Sequence, residues 1–286
     1  FAREHSDRLW KQLVAVPADT ESAARAATDA VLAFALAGAA AVAIKVPALF
    51  GVQIGSAPGF YARNLALFVF PLLTGYFAWK RGVAGGTLRW LVVTFLAALV
   101  FANAYPFAAN GNTEILTALH LPIALWLVVG IAYTGNRWST TAGRMDFVRF
   151  SGELFIYYVL IALGGAVLTA FMAMTFQAVG LNAEPFFQSW LLPCGAVGAV
   201  MVAARLVEAK QSVIENMAPV LAWLFTPLFA VVLVVFLGTV VWTGHGIDIE
   251  RNALIAFDLL LGLVLGLLLY SISARNPRAA RDISDV

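Results

Sequence analysis

The sequence predicts an all-α fold, a polytopic membrane helix bundle. Three observations carry this. Of the 286 residues, 62% are hydrophobic and 12% are charged, against about 25% charged in soluble domains. Mean hydropathy is +0.86. The apolar residues gather into eight runs of roughly the length a helix needs to cross a hydrocarbon core. The formal net charge of +2 is too small to mark a nucleic-acid partner, and none is expected.

The chain opens on Phe1 rather than Met, so its start is read as trimmed. Residues 1–26 form a cytoplasmic segment. Leu9, Trp10, Leu13 and Val14, flanked by Arg8 and Lys11, fit a short amphipathic helix on the membrane surface. A frayed polar terminus fits them equally. No signal peptide is expected, because mixed residues occupy the whole stretch before the first apolar run. Pro17, then Asp19 or Thr20, mark the start of a helix.

The transmembrane domain covers 27–274, with spans at 27–50, 63–80, 87–106, 114–134, 148–179, 187–208, 218–243 and 251–274. Breakers separate them: Gly51 to Gly59, Gly85-Gly86, Asn110 to Asn112, Gly135-Asn136, and Thr243 to Gly246. The fifth span is long enough to tilt or to extend beyond the lipid. Residues 275–286 are a short basic cytoplasmic tail.

Charge placement orients the bundle. Of the 18 basic residues, 15 fall on one side of this arrangement. They lie in the N-terminal segment, in loops holding Lys80, Arg81 and Arg89, then Arg137, Arg144 and Arg149, then Arg205 and Lys210, and in the tail. The other side has Arg63 and Arg251, and Lys45 lies within a span. Both termini are therefore expected in the cytoplasm. Trp10, Trp79, Trp90, Trp138 and Trp242 fall near the expected interfaces, as an aromatic belt requires.

No residue pattern points to catalysis. A phosphate-binding glycine loop, HExxH and CxxC are absent, and the three histidines are scattered. The single Cys194 excludes an internal disulfide and a cysteine-based metal cluster. No cofactor, metal ion or enzymatic activity is expected.

The candidate site residues are polar groups at membrane depth, where ionisable side chains are costly. Asp258, Gly262, Gly266 and Tyr270 recur every fourth residue, so they share one face of the last span. Asp258 lies about 10 Å inside Arg251, and Lys45 lies about 7 Å inside Phe50, at 1.5 Å per residue. The matched depths, and the smooth face of Ala37, Gly38 and Ala41 beside Lys45, suggest that spans one and eight touch and pair Lys45 with Asp258. Snorkelling of Lys45 to the headgroups is the competing reading. A structural hydrogen bond to a neighbouring helix is the main competing reading for Asp258, and a proton or cation site is a further one. His120, just before Pro122, is expected to sit hydrogen-bonded at a helix interface. Glu114 suits the positive end of a helix dipole. Glu153 is expected to pair with Arg149, and Asp146 with Arg144. His245, Asp248 and Glu250 crowd one outer loop, best read as solvated. Gly195 and Ala199, with Gly164 and Gly165, are read as close helix packing.

Two stretches carry a resemblance: YARNLALFVFPLLTGYFAWKRG at 61–82, and NMAPVLAWLFTPLFAVVLVVF at 216–236 followed by ERNALIAFDLLLGLVLGLLLYSISARNP at 250–277. They resemble the bacterial multi-pass membrane family known as domain of unknown function 4153. The resemblance implies a bacterial cytoplasmic (inner) membrane and brings no activity or site.

Two functions compete. Kinked helices, at Pro47, Pro71, Pro122, Pro193 and Pro227 among others, together with buried charge suggest a transporter or permease for a small solute or ion. The lack of any motif, the short loops and the small-residue faces suggest a non-catalytic membrane subunit. Its partners would be the lipid bilayer and other membrane protein subunits. A membrane enzyme ranks last, because no cluster of Asp, Glu, His or Arg gathers at one membrane face.

Overall fold

The computed structural model describes residues 18–109, 111–178, 181–209 and 217–243, and, in the last predicted span, positions 258, 261, 262, 265 and 266. The described residues are helices joined by turns, with no strand among them. We number the helices α1 (Ala18–Leu49), α2 (Pro58–Arg81), α3 (Gly85–Ala104), α4 (Asn112–Thr134), α5 (Thr141–Ala178), α6 (Glu184–Glu208) and α7 (Met217–Thr243). They overlie the first seven predicted spans and end within two residues of them, but α1, α2 and α5 begin earlier, at 18, 58 and 141 rather than 27, 63 and 148. Five apolar stretches are long enough to cross a membrane: Ala27–Leu49, Gly85–Ala104, Asn112–Thr134, Thr141–Gln177 and Glu184–Glu208. This is a protein built of membrane-spanning helices.

The helix ends have local causes. Pro58 at the first turn of α2 gives up an amide that no carbonyl there needs. Gly82 stops the same helix at φ 60, a left-handed conformation that favours glycine. The amide of Gly82 then returns to the Trp79 carbonyl and that of Val83 to the Ala78 carbonyl. In α6, Phe187–Leu191 is a π-helical turn, just before Pro193. Proline cannot donate to the carbonyl four residues back and crowds it, so the chain widens there.

The chain divides into two units. The first holds residues up to Tyr158 together with Leu192–Ala209. In it α2 is the central helix, packing against α1, α3, α4 and α6, while α1 lies along α6. Ala40, Ile44, Tyr61, Val69 and Val197 form its buried cluster. Phe77, Tyr133 and Phe150 form an aromatic cluster, with Tyr133 stacked on Phe150 at 4.4 Å. Nearby, Trp126 donates from its ring nitrogen to the Ser151 hydroxyl at 3.1 Å.

The second unit holds Val159–Leu191 and the chain from Lys210 onward. There α5 meets α7. Phe225 and Phe229 of α7 are buried, and a Cβ at Gly164 would overlap the Phe225 ring. Gly164 therefore packs as expected, whereas Gly165 faces open space. The amphipathic segment 1–18 (Ala18 apart), the loop with His245, Asp248 and Glu250, the tail and Tyr270 lie outside the described residues.

Candidate functional site

The helix α2 is apolar through its middle and polar or charged near both ends, with Arg63 and Asn64 at one and Lys80 and Arg81 at the other. Each pair meets polar partners from neighbouring helices.

At the first end, Arg63 donates from Nη1 to Glu114 Oε1 of α4 at 2.6 Å, and from Nε to the Ala102 carbonyl of α3 at 2.8 Å. Its guanidinium also lies over the Phe107 ring, 5.1 Å from the centroid. Asn64 and Asn103 exchange two amide hydrogen bonds, at 3.1 and 2.8 Å. The Tyr61 hydroxyl donates to the Val52 carbonyl at 2.8 Å and holds the preceding loop down. Gly59 is part of this site, because a Cβ there would overlap the Glu114 carboxylate.

At the opposite end, Lys80 Nζ lies 3.2 Å from Asp29 of α1 and 3.2 Å from Glu208 of α6. It also donates to the Tyr76 hydroxyl at 3.3 Å. Arg81 donates to the other Glu208 oxygen at 2.8 Å and lies over the Tyr133 ring of α4 at 5.0 Å. The Glu208 side chain is 7% exposed. Two cations face two carboxylates, so the cluster neutralises itself and ties four helices at one level.

Between the two clusters the surface is apolar. A groove of 320 Å³ runs between α2 and α3, lined by Leu67, Pro71 and Thr74 on one side and Leu91, Phe95 and Leu99 on the other. Thr74 is buried and its hydroxyl has no hydrogen-bond partner. Such a groove admits hydrocarbon and offers no charge to a polar solute.

The residues singled out in the sequence are distributed differently. Asp258, Gly262 and Gly266 are helical and exposed, with no atom within 4 Å of a Cβ on either glycine. Lys45 is half-buried on α1. Part of the smooth face beside it lies against α6: Cys194 Sγ donates to the Ala41 carbonyl at 3.6 Å, and Gly198 meets Ala37 at 3.8 Å from where its Cβ would stand, whereas Gly38 is exposed to open space. Lys45 belongs to the first unit and Asp258 to the second.

Four expectations need correcting. His120 is exposed rather than at an interface, and its Nδ1 lies 2.9 Å from the Leu116 carbonyl of its own helix. Gly195 is exposed with open space around it, and the glycine that packs is Gly198. Asp146 pairs with Arg137 at 3.5 Å, not with Arg144. Among the described residues, Arg149 and Glu153 form no ion pair. Ala199 is half-buried. Glu114 does lie in the first turn of α4, and it also pairs with the Arg63 side chain of α2.

Sequence reasoning missed both clusters. Arg81 and Glu208 are 127 residues apart, and Arg63 and Glu114 are 51 apart. The usable signal was topological: Asp29 and Glu208 fall on the same side of the predicted spans as Lys80 and Arg81.

Compared with protein-family models, curated proteins and solved structures, the chain matches none.

Proposed function

We propose that this chain is a non-catalytic subunit of a bacterial cytoplasmic membrane, holding or regulating other membrane components through lateral contacts. It would cross the membrane eight times with both termini in the cytoplasm, as its charge placement requires. The resemblance to domain of unknown function 4153 belongs to the same proposal.

The observation that carries this reading is the clamping of α2 at both ends. Arg63 is tied to Glu114, and Lys80 and Arg81 are tied to Asp29 and Glu208. Transport by rocking requires helices to part at one end and then at the other. Ion pairs closed at both ends of the central helix, with their charges matched internally, support a static body that presents its flanks. The exposed Asp258, Gly262 and Gly266 are the place where a partner helix would dock, since a carboxylate at membrane depth needs cover.

The transporter reading has its own support in the prolines inside α1, α2, α4 and α7, which leave carbonyls free within the membrane.

Gentle extraction from the native membrane, followed by native mass spectrometry, separates the two. The subunit reading expects a stoichiometric complex with a second membrane polypeptide, dissociated by Gly262→Leu with Gly266→Leu. A lone polypeptide unaffected by those changes defeats it. The competing reading, in which Asp258 pairs with Lys45 instead of a partner helix, is tested by exchange: under it, Lys45→Asp with Asp258→Lys restores the thermal stability that each single change removes. A double variant no better than either single one rejects the pairing.

A further inference from the structure

Among its described residues, the first unit has exposed arginines outside its ion pairs, and they stand at the Lys80 end. Lys80 and Arg81 are matched by Asp29 and Glu208, and Arg137 is matched by Asp146 in an exposed contact. Arg89, Arg144 and Arg149 are exposed, and no carboxylate pairs with them among the described residues. At the other end Arg63 is neutralised by Glu114.

Packing fixes the level at which these side chains stand. Phe150 stacks on Tyr133 and meets Phe77 edge-on at 5.2 Å, so Arg149 is level with the last turns of α2 and α4. Arg144 precedes it by five residues, which is about 7 Å further out along α5. Arg89 lies in the second turn of α3, beside Trp90. Trp79, Trp90 and Trp138 are 56%, 74% and 54% exposed at this same end. Exposed indoles of this kind occupy the headgroup level of a bilayer.

We propose that Arg89, Arg144 and Arg149 form a collar that binds anionic phospholipid headgroups of the phosphatidylglycerol type, in the leaflet at the Lys80 end. A guanidinium meets a phosphate diester through paired N–H donors, and the neighbouring indoles set its depth. The collar is distinct from the Lys80–Glu208 cluster, whose charges are already matched. The inference rests on the membrane setting alone and stands independently of the subunit reading.

The test uses the full chain in lipid nanodiscs containing equal amounts of phosphatidylglycerol and phosphatidylcholine, with retained lipid counted by native mass spectrometry. The native protein should retain phosphatidylglycerol over phosphatidylcholine by at least about fivefold at low salt, and raised salt should weaken this. Replacing all three with glutamine (R89Q, R144Q, R149Q) should bring the ratio to that of the surrounding bilayer. Replacing them with lysine should keep most of the preference. Because all three side chains are exposed, both variants should elute and melt like the native protein. Equal retention of the two lipids by the native protein overturns the proposal, as does an undiminished preference in the glutamine variant. Millimolar inorganic phosphate should leave the ratio unchanged, and displacement by it would assign the collar to free anions instead.

Discussion

Glu208 accepts a hydrogen bond from Arg81 and forms an ion pair with Lys80, while only 7% of its side chain is exposed. Removing its charge leaves Arg81 without a carboxylate, and Lys80 with Asp29 alone, in a partly desolvated site. Glu208→Gln should therefore lower unfolding stability by about 3 kcal/mol, read as a fall in Tm in detergent. Adding Arg81→Met should recover part of that loss, since the stranded charge is then gone. Gly59 supplies a second test. A methyl at Gly59 would displace the Glu114 carboxylate that holds Arg63, whereas a methyl at Gly55 meets open space. Gly59→Ala should cost about 2 kcal/mol, within the range for overpacking and a broken pair. Gly55→Ala should leave Tm within a degree or two. Equal Tm values for these two variants would mean that the Arg63–Glu114 contact contributes nothing.

Each element was legible in proportion to how local its causes are. Hydrophobic run length, Pro58 at a first turn and glycine at a helix stop are read within a few residues, and the first seven predicted spans correspond to seven helices. The face each helix turns to its neighbours was not legible. On α6, Gly195 and Gly198 are equally small, and only packing makes Gly198 the one that meets Ala37. Gly198→Leu should overpack the α1–α6 contact and cost about 2 kcal/mol, while Gly195→Leu should be tolerated. Thermal melting of both variants decides this, and a larger loss at Gly195 would contradict the packing. The π-helical turn before Pro193 also escaped a reading of proline as a simple kink. The extra residue in that turn absorbs the ring's clash without breaking the helix.

At the scale of the whole molecule, the orientation of the bundle is a claim about which leaflet receives the uncommitted arginines. With Cys194 replaced by alanine, a single cysteine at Ser56 should react with a membrane-impermeant maleimide on intact cells. One at Ser139 should react only after permeabilisation. The reverse pattern would invert the topology and move the arginine collar to the outer leaflet.

By itself, the sequence determined that the chain is helical and membrane-embedded, where most of its helices begin and end, and how its charges alternate along the chain. These follow from burial of apolar runs and satisfaction of backbone hydrogen bonds, which operate over a few turns. Only the tertiary structure decided that Lys80 meets Glu208, that Arg63 meets Glu114, and that Ala37 and Ala41 lie against α6. The rotation of each helix about its axis selects those partners. That rotation depends on side-chain packing between segments far apart in the chain, and local pattern carries no record of it.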